Sequence, residues 1–294
     1  MKILLFGGEG QLGTRLKNCL LPLGQIRAPG RIEVDLSRVK DLRDFIHDER
    51  PGLIVNAAAY TAVDQAESEE ELAMRVNTDA PAVMAQVARQ CGALLVHYST
   101  DYVFDGNARV SYDETAPTTP INAYGRSTLA GENVIRSSGA AHLILRTAWL
   151  YSNRGRNFLN TILKLGIERK HLRVVNDQTG APTYADLVAN ATAQIIPRMY
   201  DETNAVRAEL SGTYHIACQG STTWYEFARR IFALMDMERE ITVEPITTAN
   251  YPTPARRPAY SVLSCEKLAR VFGLRLPPWQ EALRQCLAAR SITD

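Results

Sequence analysis

A doubly wound, parallel α/β sheet followed by a smaller C-terminal lobe is the fold class this sequence predicts, and three observations predict it. Short apolar runs alternate with helical patterns through the first 150 residues, a glycine-rich turn joins the first run to the first helix, and the alternation loosens beyond about residue 150. Buried strands separated by helices call for a parallel sheet covered on both faces.

The elements follow in order. "KILLF" (2–6) reads as a buried strand ending at Gly7, and "GQLGTRLKNCLLPLG" as a helix. Leu12, Leu16, Cys19, Leu20 and Leu23 fall at helical spacing on it before Gly24 stops the pattern. "QIRA" is a weak second strand, "VKDLRDFIHDERP" a helix closed by Pro51, and "GLIVNAAA" a strong buried strand. Residues 67–92 read as helical throughout, with Pro81 interrupting the pattern. "ALLVHYS" is a strand, "AYGRSTLAGENVIRSSG" a helix closed by Gly139, and "AHLILRTAWLY" a further strand. Beyond it, "NFLNTILKLGIERK", "YADLVANATAQIIPRM" and "STTWYEFARRIFALMDM" are amphipathic helices. Between and after them lie turn-rich stretches, and Pro245, Pro252, Pro254 and Pro258 rule out a regular helix there. This half is expected to cover the carboxyl ends of the strands, where ligands bind in such sheets.

Composition narrows the function classes. With 294 residues, 46% of them apolar and 22% charged, the chain has material for two domains and an ample core. Its 33 Lys and Arg stand against 32 Asp and Glu, so the broad basic field of a nucleic-acid binder is missing. The five cysteines are scattered and never in CxxC spacing, which suits free thiols in a reducing cytoplasm. "MKILLFGGEG" carries no small-residue cleavage site, and no apolar run nears the roughly 20 residues of a membrane helix. A soluble protein that is not exported is the expectation. The five histidines never take metal-ligand spacing, and the acidic run "ESEEEL" suits a solvated helix start better than a metal.

The glycine turn carries the first chemical signal. "FGGEGQLG" puts Gly7, Gly10 and Gly13 at GxxGxxG spacing between a strand and a helix. Small residues there permit a tight turn and close approach to a pyrophosphate facing a helix N-terminus. This is the Rossmann-type signature, and it predicts a dinucleotide site in residues 1–150, with a later segment returning to that domain and residues 151–294 mainly binding substrate. No acid ends the second strand: Gly30 stands there with Arg31 beside it, favouring NADP or tolerance of NAD as well. Asp35 and Leu36 are candidates for the adenine edge.

The second signal is "STDYVFDG" at the end of a strand, followed 24 positions after Thr100 by Tyr124. Reducing a ketone needs a hydride donor over one face and an acid at the carbonyl oxygen. A tyrosine can be that acid when charge nearby lowers its pKa from about 10, and a neighbouring hydroxyl can orient the carbonyl. With "NAAAYTAVDQAE" and "NAYG…LAGE", these motifs make the chain resemble the extended short-chain dehydrogenase/reductase superfamily, and within it the dTDP-4-dehydrorhamnose reductases. The likeness runs on through "VVNDQTGAPTYADL", "GTYHIA", "TTWYEFA" and "YPTPARRPAYSVLS" in the second lobe.

The resemblance implies roles residue by residue. Gly10, Gln11 and Leu12 lie against the cofactor pyrophosphate, Asp35 and Leu36 near its adenine, and Ala59, Tyr60 and Thr61 further along it. Thr100 and Asp101 face the sugar, Thr100 in the slot of the catalytic hydroxyl, Tyr124 is the proton donor, and Trp149 packs on the sugar. The implied activity is NAD(P)H-dependent reduction of the 4-keto group of dTDP-4-dehydro-L-rhamnose. Relatives of this kind also make Mg2+ and a homodimer part of the expectation. From the residues themselves, Arg256 and Arg257 in the Pro-stiffened "PTPARRP" suit a diphosphate, or else surface ion pairs.

One position departs from the pattern. Four residues after the tyrosine the family has Lys, on the same helical face, holding the nicotinamide ribose and lowering the tyrosine pKa. Here that position is Thr128, which can hydrogen-bond a ribose but brings no charge. Arg126 points away, and the next lysine is Lys164. Losing two pKa units of tuning is about 2.7 kcal/mol. Three readings follow: an impaired or compensated reductase, a reductase for another nucleotide sugar, or a non-catalytic dinucleotide-binding subunit resembling the regulatory subunit of methionine adenosyltransferase.

Overall fold

The computed structural model describes residues 1–203, 205–237 and 239–290. From the N-terminus run β1 (Lys2–Phe6), α1 (Gln11–Leu20), β2 (Gln25–Arg27), α2 (Val39–Glu49), β3 (Leu53–Asn56), α3 (Glu70–Met74), α4 (Ala80–Cys91), β4 (Leu94–Thr100), α5 (Ala123–Ser137) and β5 (His142–Thr147). Then come β6 (Leu150–Tyr151), α6 (Phe158–Glu168), β7 (His171–Val175), β8 (Thr179–Gly180), β9 (Thr183–Tyr184), α7 (Ala185–Ile195) and β10 (Gly212–His215). The chain continues as β11 (Thr222–Thr223), α8 (Trp224–Leu234), β12 (Thr242–Ile246), α9 (Glu266–Phe272) and α10 (Trp279–Arg290).

The central sheet has the order β10-β5-β4-β3-β1-β2, every pair parallel. Side chains alternate between its faces, as strand geometry demands. Ile3, Leu5, Leu53, Val55, Leu94, Val96, Leu143 and Leu145 meet Leu12, Leu16 and Leu20 of α1 and Val188 and Ile195 of α7. Leu4, Phe6, Ile54, Leu95 and Ile144 meet Leu42 and Ile46 of α2, Val83, Met84 and Val87 of α4, and Ile135 of α5. The doubly wound fold expected from the pattern is therefore the fold observed. Strand order reverses between β1 and β3, which opens a crevice at their carboxyl ends, the usual ligand position of such sheets.

Two stretches differ from expectation. Residues 67–92 are not one regular helix: a short turn at 65–67 precedes α3, and residues 75–79 widen into a π-helical turn before α4. Asn77 is the residue four before Pro81, and the wider turn frees its carbonyl from the clash a proline ring makes in an α-helix. The strand expected over 141–151 breaks after Thr147, because Trp149 takes φ +45° and turns the chain out into β6. Strands β7 and β12, whose parallel pairing lies wholly in the second half, were not expected, although His171, Leu172, Arg173 and Val174 alternate polar and apolar along β7.

The helix α5 is anchored from both sides. Asn122 caps it, its Oδ1 accepting from the Gly125 N–H at 2.8 Å. Deeper in, Glu132 is 0% exposed and takes a bidentate contact from Arg146 of β5, with Nη2 to Oε2 at 2.6 Å and Nε to Oε1 at 2.8 Å. Ser99 of β4 donates to Glu132 at 2.5 Å, and Arg136 joins from the outside at 2.8 Å. Burial alone would raise the Glu132 carboxyl; the Arg146 guanidinium and the hydrogen bonds from Ser99 and Arg136 outweigh it and hold it below its ordinary range. Stability from this depressed group is present above an unfolded carboxyl's pKa and is lost as pH falls through the folded value. Glu132→Ala leaves the Arg146 charge buried and alone, so chemical denaturation is expected to show a loss of about 3–5 kcal/mol at neutral pH. A loss below about 1 kcal/mol would count against the pair as the anchor of α5.

Candidate active site

Two adjoining cavities, of about 550 and 580 Å³, open at the crevice and share Gly7, Gly10, Ala58, Ala59 and Thr61 in their walls. A larger cavity, about 860 Å³, lies elsewhere in the second lobe and holds none of the groups the reduction needs. The first wall is the glycine turn. Gly7 has φ +76°, and a Cβ there would stand 2.6 Å from the backbone of Ala57 and Ala58. Gly13 is pressed against the Gly7 carbonyl, where a Cβ would come to 1.9 Å. These two contacts bring the turns after β1 and β3 together and leave the N-terminus of α1 facing the crevice, a ready anion cradle.

The 550 Å³ cavity is lined by Gly7, Gly10, Asp35, Leu36, Ala59, Tyr60 and Thr61, together with Glu9, Pro29, Gly30 and Arg31. Asp35 Oδ1 accepts from both the N–H and the hydroxyl of Ser37, which hold its carboxyl below the usual range. Tyr60 is fixed by Asn77, whose Oδ1 accepts from its N–H at 2.8 Å and whose Nδ2 donates to its carbonyl at 3.1 Å. The same Nδ2 reaches Ser127 Oγ at 3.0 Å, so the π turn couples the cavity wall to α5. Gly131 permits that approach: a Cβ on it would meet the Asn77 carbonyl at 2.0 Å.

The 580 Å³ cavity gathers Gly7, Gly10, Gln11, Leu12, Ala59 and Thr61 with Thr100, Asp101, Tyr124 and Trp149. Gln11 Oε1 accepts from Asn157 at 2.8 Å and Ser152 at 3.2 Å, tying the glycine turn to the second lobe. Trp149 stacks on Trp224 with ring centroids 3.5 Å apart, and Gly180 permits its other close contact: a Cβ there would stand 2.3 Å from Trp149 Cε2. Trp224 and Tyr102 also line this cavity and were not singled out in the sequence. "TTWYEFA" carried the signal for Trp224, but no period or charge marks which of its side chains turns inward.

Four sequence candidates lie off the walls. Gly13 acts through the turn, as above. Thr128 is buried behind Tyr124, its hydroxyl donating to the Tyr124 carbonyl at 2.8 Å. Arg257 pairs with Asp64 at 2.8 Å and stands 6.0 Å from the Tyr102 ring, itself edge-on to Tyr124 at 5.8 Å. Arg256 is exposed, and its carbonyl accepts from Asn122.

The electrostatics around Tyr124 run against the usual tuning. Burial pushes its phenol up to about 12; the Thr100 hydroxyl and then the Thr128 hydroxyl pull down, and the Asp101 charge pushes up. No cation acts on it. Asp101 is 2% exposed; burial raises its carboxyl to about 7 despite the Ser261 and Thr100 hydroxyls. Thr100 Oγ1 donates to Asp101 Oδ1 at 3.1 Å, while Oδ2 has no partner among the described residues. His97, inside β4, is a structural group: burial lowers it to about 4, and its Nδ1 faces Asn56 at 3.0 Å.

Against known proteins, residues 1–292 match the family described as the RmlD substrate binding domain. The dTDP-4-dehydrorhamnose reductase of Burkholderia thailandensis is 45% identical over 98% of both chains, and that of Escherichia coli K12 is 41% identical over 98% of this chain and 97% of its own. The chain belongs to the dTDP-4-dehydrorhamnose reductase family. Among solved structures, the reductase from Clostridium acetobutylicum superposes with a TM-score of 0.91 at 35% identity, covering 99% of this chain and 100% of that one. The Bacillus anthracis reductase in complex with NADP gives 0.90 at 35% identity, covering 98% and 99%. Against that family background the expected lysine position is Thr128, and the cavity keeps the hydroxyls, the carboxylate and the indole around it.

A carboxyl whose folded value is raised makes folding less favourable as pH climbs above its unfolded value, about 3.9, and the penalty is complete above the folded value near 7. Asp101→Asn is therefore expected to raise Tm by several degrees at pH 8.5 and by much less at pH 4.5. Equal shifts at both values, by thermal unfolding monitored in the far ultraviolet, would show that Asp101 is ionised throughout.

Proposed function

We propose that the protein reduces the 4-keto group of dTDP-4-dehydro-L-rhamnose to give dTDP-L-rhamnose, at reduced rate. The observation that carries the reading is the single cavity that brings Thr100, Asp101, Tyr124 and Trp149 to the glycine turn. The relatives' printed activity gives the substrate its identity. When bound, NADPH or NADH supplies the hydride and leaves a cationic ring beside the cavity. The chain's own residues do the rest. The α1 N-terminus with Gly10, Gln11 and Leu12 holds the pyrophosphate, and Asp35, Leu36, Ala59, Tyr60 and Thr61 hold the adenine end.

Thr100 positions the keto oxygen, Tyr124 gives its phenolic proton to that oxygen, and Trp149 flanks the sugar from the cavity wall. Asp101 holds Thr100 through its hydroxyl and presents its other oxygen toward the sugar. Arg257, held by Asp64 beside Tyr102, is the nearer of the two arginines to the catalytic tyrosine. We assign Arg256 and Arg257 to the diphosphate rim, reached as the second lobe settles on substrate. A resident Mg2+ does not fit the described residues, which bring no group of three or more His, Cys, Asp or Glu together. Among the described residues no helix is long and apolar enough to cross a membrane; all five cysteines are free, which supports the cytoplasm as the place of action. A homodimer completes the reading, on family likeness.

Thr128 sets the rate. A phenol held near 12 is fully protonated at neutral pH, so the proton is present, but no side-chain cation among the described residues acts on the tyrosinate it leaves. Thr128→Lys is expected to raise keto-sugar-dependent NADPH oxidation roughly ten- to a thousandfold, and Tyr124→Phe to remove it. If neither the chain as it stands nor Thr128→Lys turns over, the regulatory-subunit reading takes over, and dinucleotide binding without oxidation should remain.

For the cofactor, Gly30 and Arg31 stand in the adenine cavity where a 2′-phosphate would lie. We read this as NADPH preferred and NADH accepted. Arg31→Ala should raise the KM for NADPH roughly tenfold, the worth of one charge-assisted hydrogen bond, and leave that for NADH within about twofold. Equal changes for both cofactors would remove Arg31 from the 2′-phosphate.

A further inference from the structure

A cavity in the second lobe, larger than the two at the crevice, has no part in the reading above. It lies under the C-terminal half of α8, is about 860 Å³, and is lined by Thr222, Glu226, Arg229, Arg230, Phe232, Ala233, Arg239, Ile241, Val243, Trp279 and Gln280. Its size falls within the usual range of small-molecule pockets. The floor is apolar and buried: Phe232, Ile241 and Trp279. The rim is cationic. Of its three arginines, Arg229 is satisfied by Glu226 at 3.5 Å, the sole carboxylate in the lining. Arg230 and Arg239 make no ion pair or hydrogen bond among the described residues. The Arg230 Nε is buried with no acceptor, and so is the indole N–H of Trp279, a side chain only 6% exposed.

Buried donors without acceptors cost roughly 1–3 kcal/mol each, and a guanidinium drawn off the surface costs more unless an anion joins it. Helix position does not explain the charge, since Arg229 and Arg230 lie before the last turn of α8, which holds no basic residue. Nor does it explain why Arg230 buries its Nε or why Arg239 comes from a separate turn to the same rim. Guanidinium forks match phosphate oxygens two by two, and the floor suits the body of a ring.

We propose that this cleft is a second ligand site, for a phosphate ester whose ring lies on Phe232, Ile241 and Trp279 and whose phosphate is held by Arg230 and Arg239. It goes beyond the reductase reading and does not depend on it. It also lies beside the first site, because α8 begins with Trp224, stacked on Trp149 at the sugar cavity, and ends in the arginine rim.

The test is titration calorimetry with phenyl phosphate and with inorganic phosphate, at low salt, with NADP+ and dTDP saturating the first site. The expected result is saturable binding of one phenyl phosphate per chain, about tenfold tighter than inorganic phosphate. Arg239→Gln, on an exposed turn, should weaken it at least fivefold, and Arg230→Gln more, with the KM for NADPH unchanged in the Arg239 variant. The proposal is overturned if binding disappears when NADP+ and dTDP are present, if inorganic phosphate binds as well as phenyl phosphate, or if Arg239→Gln binds like the parent chain. Arg230→Gln is read only if its far-ultraviolet spectrum matches the parent's; Arg239→Gln carries the test otherwise.

Discussion

The position of α5 is the constraint on which the rest of the site depends. A helix presents residues four apart on one face, so Tyr124, Thr128 and Glu132 share a stripe. Only Glu132 is held by charge. Its bidentate contact with Arg146 ties the stripe to β5, and Ser99 ties it to β4 one residue before Thr100. On the other side the π turn sets Asn77 against Gly131 and Ser127 and fixes Tyr60 with the same side chain. Helix, strand end and cofactor wall are thus locked to one another through two buried polar centres. Such a pair adds little net stability over an apolar packing, but removing one partner is expensive, which is how it enforces a single helix register.

This scaffold explains how the site keeps its shape without the family's lysine. The hydroxyl of Thr128 turns back to its own helix at the Tyr124 carbonyl, a local bond that satisfies it and needs nothing from the cavity. The anchors of α5 on this face are Glu132 and Asn77 rather than residue 128. The change is therefore electrostatic before it is structural. A buried phenol with a carboxyl as its only ionisable influence has its ordinary pKa moved the wrong way for tyrosinate chemistry.

Much of this was legible in the sequence, and the physical reasons for the remainder are specific. Strand β1, the glycine turn and α1 follow from apolar period and small residues, because each is decided within about fifteen residues. The cluster of Thr100, Asp101, Tyr124 and Trp149 was found through motif likeness; spacing alone does not place a residue after β4 beside one on α5. Pro81 predicted a disturbance but not a π turn, since the shape of that turn is chosen by the crossing of α5 at Gly131. The break at Trp149 was invisible because a left-handed tryptophan is held by its stack on Trp224, 75 positions later in the chain. Arg257 read equally well as a phosphate ligand or an ion pair, and only the fold brings Asp64 to it.

Charge supply at Tyr124 then becomes a matter of which cations are free to move. Arg126 is spent on Glu70 at 2.9 Å, on the outer side of α5, and Lys164 lies on exposed α6 facing Glu168. Arg257 is different. Its partner Asp64 is partly exposed, its own Nη1 is buried without an acceptor, and its charge opposes the burial that pushes the neighbouring Tyr102 phenol up. A guanidinium with one fork committed and one unused can turn toward a diphosphate or toward the Tyr102–Tyr124 pair without leaving its loop. The Pro-stiffened backbone around it limits the travel to side-chain rotation. The arginine's contact with the phenol runs through Tyr102, which lies edge-on to Tyr124 at 5.8 Å, so α5 and that ring pair fix where any charge must arrive.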